Sequence, residues 1–495
     1  LSRYFHRRSL TISASFPFWK RGVVVLVGAC LIGLCIFGIR GRTGYNPIKV
    51  SAAYFCQDAF LNQLGVSPTF NLLTSVMDDM RPENKYLHLM DEQEAITKAQ
   101  ALLNRPGDAN VSPLAVYRRA AKADSVQQRR PNVVLIMMES MSSKLMKHFG
   151  QSETLTPFLD SLYTRSISFR NFYSAGIHTN HGLYATLYSF PAMMKRNLMK
   201  GSVIPRYSGL PTVLKENGYY NLFFMTHEGQ YDNMNAFFRT NGYDEVFSQE
   251  DYPADKVVNS FGVQDDFLYD YAIPVLNQRA ATGQPFFATL LSISNHPPYV
   301  IPPFFHPKTS EPETQIVEYA DWALRQFFEE ARKQPWFDNT IFVLEGDHGK
   351  LVGDAECELP ESYNHIPLMI YSSRIQPEEK TTFGGQVDIQ PTILGLLNID
   401  YLQNNFGVDL LKEERPCMFY TADNMIVGRN DTLLYLYNYE TQQEFTYHID
   451  NGKLKAVPMD DRFLPLKEYS FSMLQSAEFL VKHGKTLNSI PFTQQ

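Results

Sequence analysis

Residues 22–39, GVVVLVGACLIGLCIFGI, carry no charge and no Asn, Gln, Ser or Thr. As a helix rising 1.5 Å per residue the run spans roughly 27 Å, close to the hydrocarbon core of a bilayer. Lys20 and Arg21 precede it, with Arg3, Arg7 and Arg8 further upstream, and Arg40 and Arg42 follow. The larger basic excess lies before the run, which predicts a cytoplasmic N-terminal side and an extracytoplasmic remainder. A buried core helix is seldom apolar on all faces between arginines. Ile39-Arg40-Gly41-Arg42 is a poor cleavage site, and the apolar run continues well past Cys30, against a lipoprotein signal. The pattern therefore predicts a cytoplasmic stub at 1–22 and a retained transmembrane helix at 23–39.

Residues 40–130 mix helical stretches such as 91–103, DEQEAITKAQALL, with breakers such as Asn104-Arg105-Pro106-Gly107-Asp108. This reads as a helical stalk. From 131 the texture changes. Short continuous apolar runs occur at 132–138, 221–225, 286–293, 340–344 and 367–371. Unbroken runs, as opposed to alternating ones, suit strands buried on both faces of a parallel sheet. Helix candidates at 156–166, 209–217 and 318–334 lie between them. The fold class expected for 131–412 is thus α/β, a doubly wound, mostly parallel sheet. Beyond 412, short strands at 418–420, 432–437 and 445–449, a hairpin signal at Asn451-Gly452 and a closing helix at 466–483 predict a small antiparallel subdomain with a helix, 413–495.

With 495 residues, 44% hydrophobic and 13% aromatic, the chain can bury a large core. A net charge of -7 and the absence of a long basic run beyond the N-terminus exclude a nucleic-acid partner. The five cysteines form no C-x-x-C pair, which excludes a cysteine zinc site and a dense disulfide framework. A Cys357–Cys417 pair stays open.

The chemistry sits where the strands stop, because ligands of open parallel sheets bind outside the carboxyl ends of the strands. The run 132–138 ends at Glu139-Ser140, 221–225 at Thr226-His227-Glu228, and 286–293 at Ser294-Asn295-His296. The run 340–344 leads through Glu345-Gly346 to Asp347-His348-Gly349. Four strands thus deliver carboxylates or imidazoles to one edge. Gly346 and Gly349 are expected to free the backbone so that Asp347 and His348 both turn to one ion. Glu139 adds a carboxylate from a second strand. Oxygen donors with one imidazole suit one divalent metal, Mn²⁺ or Zn²⁺ ahead of Mg²⁺, with a second metal left open.

Thr179 lies just before a probable helix at 183–188, where helix N–H groups stabilise a phosphate. It reads equally as a metal-activated nucleophile or as a plain N-cap. Thr186, inside the helix, is the poorer candidate. His296 and His365 flank strands at the same edge and are candidates for contact with a transferring phosphate, and so is His227. His178 and His181 read as easily as solvent-facing groups.

At these residues the chain resembles the alkaline phosphatase/sulfatase superfamily, and within it the lipoteichoic-acid-synthase type of membrane-anchored phosphoglycerol transferase. The resemblance rests on NVVLIMMES, NFYSAGIHTNHG, SNHPPY, EGDHG and VDIQPTILGLL, in that order between 132 and 409. It implies that Glu139, Thr179, Asp347 and His348 bind the metal and that Thr179 becomes phosphorylated. It also implies that His296 faces the substrate; His365 is similar to a histidine of the related phosphoethanolamine transferases. Sulfatases use Cys or Ser in C/S-x-P-x-R, whereas Thr179-Asn180-His181-Gly182 stands here, which points away from sulfate esters. The Trp and Arg that read glycerol phosphate in this branch are missing from 231–236, YDNMNA. Asp232 and Asn235 are the substrate-side candidates there instead. The family's anchor has several spans where one run is visible, as expected of a chain truncated at its N-terminus.

The expectation is a phospho-alcohol transfer from a membrane lipid donor to a glycan or lipid acceptor, in a bacterial inner membrane with the catalytic domain outside. A phosphodiesterase or sulfatase-type hydrolase, a phosphoethanolamine transferase and a metal-free scaffold are the alternatives.

Overall fold

The computed structural model describes residues 17–43, 47–56, 59–81, 85–119, 130–201, 204–450 and 452–487. The chain forms two compact units, 1–52 and 53–495. In the first, helix α1 (Phe18–Arg40) has no buried residue and ends on Gly41 in the left-handed conformation. Among the described residues it is the one helix long and apolar enough to cross a membrane. Most of the expected stub, 1–16, lies outside the described residues.

The second unit opens with helices α2 (Ala59–Leu64), α3 (Pro68–Asp79) and α4 (Glu92–Leu103) and strand β1 (Val116–Arg118). From Leu87 to Arg118 the expected stalk is packed into the body. The Leu87 and Leu89 amides donate to Glu478 Oε2 at 3.1 Å and Gln475 Oε1 at 2.7 Å. Strand β1 pairs with a strand at Tyr401–Gln403. The reason is the apolar face of α4, with Ala95, Ile96, Ala99 and Leu103 buried, which a free stalk would leave in water.

The main sheet is built from β2 (Asn132–Met138), β3 (Ile167–Tyr173), β4 (Tyr220–Met225), β5 (Glu245–Phe247), β6 (Phe286–Leu291), β7 (Thr340–Gly346), β8 (Leu368–Tyr371) and β9 (Glu378–Gly385). Their spatial order is β5-β4-β6-β2-β7-β8-β3-β9. Every neighbouring pair is parallel except the two that β8 makes, with β7 and β3. The central strands β2, β6 and β7 are buried along their whole length, which is why they read as unbroken apolar runs. The edge strand β9, EEKTTFGG, is exposed at its start and carries no such signal.

After strand β10 (Tyr401–Gln403), strands β11 (Met418–Thr421), β12 (Met425–Arg429), β13 (Leu433–Asn438), β14 (Gln443–Asp450) and β15 (Lys453–Ala456) form an antiparallel meander in chain order. A long helix, Leu464–Lys482, closes the unit. Of the predicted hairpin turn, Asn451 lies outside the described residues, and Gly452 takes the positive φ of 76° that such a turn requires. Cys357 and Cys417 are both free thiols.

Glu361 helps join the two sheets. It pairs with Arg429 of β12 and accepts from the Tyr173 hydroxyl of β3 at 3.2 Å. Burial works to raise its pKa, but the Arg429 guanidinium and His365 outweigh this and hold it near 2, below the ordinary 4.5. A depressed folded-state pKa stabilises the fold above the unfolded value, and that stabilisation is lost as pH falls from 4.5 toward 2. Glu361→Gln is expected to flatten the acid limb of stability in that window, read from urea melts at stepped pH.

Candidate metal centre

Strands β2 and β7 lie in register with Met138 opposite Gly346, so the next residues, Glu139 and Asp347, emerge side by side. The Asp347 amide donates to the Met138 carbonyl at 3.0 Å and continues the ladder one step past the strand. Glu139 is 1% exposed and Asp347 fully buried. Ser140, held at φ 51°, turns back over the pair. Its amide donates to Asp347 Oδ1 at 2.8 Å and its hydroxyl to Glu139 Oε1 at 2.8 Å.

Next to Asp347, the His348 amide also donates to Asp347 Oδ1, at 2.7 Å. The ring atom His348 Nδ1 lies 2.7 Å from the Gly349 carbonyl. A carbonyl only accepts, so Nδ1 carries the proton and Nε2 presents its lone pair. That Nε2 is 3.7 Å from Glu139 Oε1 and 3.5 Å from Asp347 Oδ2. One ligand atom from each of the three residues falls within 4.8 Å of the others.

This donor set fits a divalent cation on independent grounds. Asp347 Oδ2 is buried and accepts no hydrogen bond. Burial, and then the neighbouring Asp347 carboxylate, push the Glu139 pKa well above the usual carboxylate range. Two buried carboxylates facing a deprotonated imidazole nitrogen are costly without a positive charge between them.

Thr179 reaches the cluster from a third element. It is the first residue of the helix Thr179–Tyr188, and the N-cap is His178, so Thr179 is not itself the cap. Its hydroxyl donates to Glu139 Oε2 at 3.3 Å. Gly182, one turn further, allows the helix to lie against the metal loop, for a Cβ there would meet the Asp347 carbonyl at 2.3 Å. Thr186 instead donates to the buried Glu345 at 2.5 Å.

Gly346 and Gly349 serve a purpose other than the expected one. Neither has a positive φ. A Cβ on Gly346 would meet the Met141 carbonyl at 2.5 Å, and one on Gly349 the Ser362 carbonyl at 2.0 Å. They allow close backbone approach, not an unusual turn.

The other candidates divide. His296 Nδ1 lies 2.6 Å from the Pro297 carbonyl, and the ring packs on Phe261 at 4.1 Å. Its pKa is lowered by burial and then, after a raising contribution from the Pro297 carbonyl, by His348 nearby. His227 is buried against Tyr231, with ring centroids 4.7 Å apart. Asp232, in a strained loop at φ 46°, accepts from Asn180 at 3.2 Å and pairs with Lys200 at 2.8 Å. Asn180 is the neighbour of Thr179, so Asp232 stands close to the helix start. Asn235 faces away: it donates to the Tyr54 carbonyl at 3.0 Å and accepts from Arg239 at 2.7 Å. His365 stacks on Tyr173 at 5.1 Å and donates to the Arg170 carbonyl at 2.8 Å. His181 is fully buried, and burial followed by His178 pushes its pKa down to about 3.

Several groups of the centre had no clear signal in the sequence. Asn295 donates to the carbonyls of Glu139 and Ser140 at 3.2 and 3.1 Å, and accepts from Lys350 Nζ at 2.6 Å. Burial lowers the Lys350 pKa to about 8. Gln386 donates to the carbonyls of Asp347 and Gly346 at 2.7 and 3.1 Å while accepting from the Ala175 amide at 2.9 Å. It thereby ties the turn before Thr179 to the metal loop. Asn295→Ala is expected to weaken metal binding about 10–100-fold, the usual cost of a lost supporting group, with an unchanged far-ultraviolet circular dichroism spectrum. Metal titration checks it.

The sulfatase family model matches residues 131–399. Lipoteichoic acid synthase 2 of Bacillus subtilis (strain 168) is 25% identical over 315 residues, 57% of this chain and 47% of its own length. Lipoteichoic acid synthase 1 of the same strain is 26% identical over 354 residues, 66% of this chain and 54% of its own. The chain thus spans about half the length of the curated relatives it matches. Among solved structures, a protein in the alkaline phosphatase superfamily from Vibrio parahaemolyticus superposes with TM-score 0.71 at 25% identity, covering 81% of this chain and 98% of that one. The lipoteichoic acid synthase LtaP from Listeria monocytogenes gives TM-score 0.62 at 22% identity, over 72% of this chain and 93% of that one. A parallel sheet that sets Glu139, Asp347 and His348 together, matched across more than half the chain, leaves one conclusion: the protein belongs to the sulfatase family of the alkaline phosphatase superfamily.

Proposed function

We propose that this protein is a membrane-anchored transferase that moves a phosphoglycerol-type or related phospho-alcohol group from a lipid donor to an acceptor hydroxyl on a glycan or lipid. The observation that carries the reading is the Thr179 hydroxyl, placed at a helix start and 3.3 Å from Glu139 within the metal-binding cluster. The lipoteichoic acid synthases among the relatives support this substrate class. The catalytic unit is 131–412, with 413–495 as its antiparallel companion, and α1 anchors it to a bacterial inner membrane with the unit outside.

Glu139, Asp347, His348 and Thr179 would hold one divalent metal. The single imidazole favours Mn²⁺ or Zn²⁺ over Mg²⁺, and a second ion stays open. When bound, such an ion acts as a Lewis acid toward phosphoryl oxygens and lowers the pKa of a coordinated hydroxyl.

The protein's own groups do the rest. Glu139 Oε2 orients the Thr179 hydroxyl through the 3.3 Å hydrogen bond and gives its proton a first acceptor. Thr179 Oγ1 attacks phosphorus, the Thr–O–P bond forms, and the bond to the diacylglycerol-type alcohol breaks as that oxygen takes up a proton. The acceptor hydroxyl then attacks the same phosphorus, loses its proton, and returns Thr179 to its free form. The free N–H groups at the start of the helix face the phosphoryl oxygens. His296, His227 and Asp232 are the substrate-side groups. His365 and Asn235 are engaged instead with the Arg170 and Tyr54 carbonyls.

Mass spectrometry of the Thr179 peptide, after the full chain has met a membrane lipid extract, tests the proposal. The expected result is an added phospho-alcohol on Thr179, whose mass separates phosphoglycerol from phosphoethanolamine. An unmodified Thr179 during active turnover sinks the reading, and release of the group to water alone supports the hydrolase alternative.

A further inference from the structure

Helix α3 (Pro68–Asp79) is turned inside out for a soluble protein. Its polar side chains Asn71, Thr74, Ser75 and Asp78 are half-buried. Phe70 is half-buried, whereas Leu72, Leu73 and Met77 face outward, 64%, 61% and 64% exposed, as does Met80 just past the helix end at 78%. Spacings of one, three and four residues put these on one face. Phe55 and Leu64, just upstream, are exposed as well. A soluble surface scatters its large apolar groups singly, and such a concentration marks a contact surface.

The chemistry beside the helix names the partner. A groove of about 260 Å³ adjoins α3, lined by Ser75 and Asp78 of the helix and by the cations Arg81, Lys195, Arg196 and Lys200. Arg81, Lys195 and Lys200 remain about half-exposed although each has a carboxylate partner, at 3.4, 3.5 and 2.8 Å. An apolar helix face bordered by half-exposed cations is the signature of a helix lying in the interface of an anionic bilayer. The covalent order agrees, since α3 follows the apolar helix Phe18–Arg40 by fewer than thirty residues. Lys200 at the groove pairs with Asp232, which accepts from Asn180 beside Thr179.

We propose that the outward face of α3 docks on the surface of an anionic lipid bilayer, with the Arg81–Lys195–Lys200 groove against phosphate head groups. The inference extends the membrane-anchored reading above. Its test reads lipid contact and not turnover, so each can fail alone.

The full chain carrying Leu73→Trp is reconstituted in phosphatidylglycerol vesicles with and without brominated acyl chains. Quenching of the introduced tryptophan above the wild-type background is expected, and none is expected for Lys333→Trp, an exposed position elsewhere. Adding Leu72→Glu and Met77→Glu, with the thermal transition retained, is expected to abolish the quenching. Quenching of Leu73→Trp no greater than that of the wild type overturns the proposal. So does efficient cross-linking between copies through Leu73→Cys in a chain whose own cysteines are replaced, because a second copy would then cover the face.

Discussion

Thr179→Ala is expected to reduce turnover with a lipid donor to background, a loss on the order of 10⁴-fold or more, typical of removing a covalent nucleophile. The fold should survive. The side chain makes a single hydrogen bond, to Glu139, and His178, not Thr179, occupies the N-cap position of the helix. Thr179→Ser keeps a hydroxyl at the same place and should retain part of the activity. Transfer kinetics measured beside a thermal melt separate the two effects, and full activity in Thr179→Ala would remove Thr179 from the mechanism. The N-cap reading predicts something different: a stability cost of about 1 kcal/mol and little change in rate.

Asp347→Asn should abolish the response of the protein to chelators. In the wild type, metal at a hundred times its Kd adds about 2.7 kcal/mol to stability, and a chelator removes it. In the variant a ligand is gone, metal affinity falls by about 100-fold or more, and the chelator should leave the melting temperature unchanged. The metal-free variant should also melt above the metal-free wild type. An amide oxygen at Asp347 can still accept from the Ser140 and His348 amides, while its NH2 faces Glu139 in place of a second buried charge. Calorimetry with and without chelator reads both signs. A wild-type protein indifferent to chelators would argue against the metal centre altogether.

Much of this arrangement was legible residue by residue. Strands β2, β6 and β7 are buried on both faces, and burial on both faces leaves a continuous apolar run that a single chain displays. Edge strands leave no such trace, so β5 and β9 were not anticipated, nor was β3, whose burial is interrupted at Arg170 and Asn171. The stalk expectation missed the docking of α4, because periodicity shows that a helix has an apolar face but not what covers it.

Within the centre, Glu139, Asp347 and His348 were visible as polar residues that end apolar runs. Asn295, Lys350 and Gln386 were not, since an amide or ammonium that braces a carbonyl looks like any other loop residue. Likewise His365 and Asn235 stand in the right stretches of chain, but their hydrogen bonds run to the Arg170 and Tyr54 carbonyls.

Composition and patterning alone determined the α/β class, the apolar N-terminal helix, the separate antiparallel sheet and the strand ends at which chemistry sits. These follow from short-range rules, chiefly which faces of an element meet water. Only the tertiary structure decided that Thr179 of a helix and Glu139 of a strand, forty residues apart, share a hydrogen bond. It alone showed why Gly182, Gly346 and Gly349 are glycines, and that α3 turns its apolar face outward. Those are matters of close approach between elements distant in sequence, and a linear pattern carries no distances.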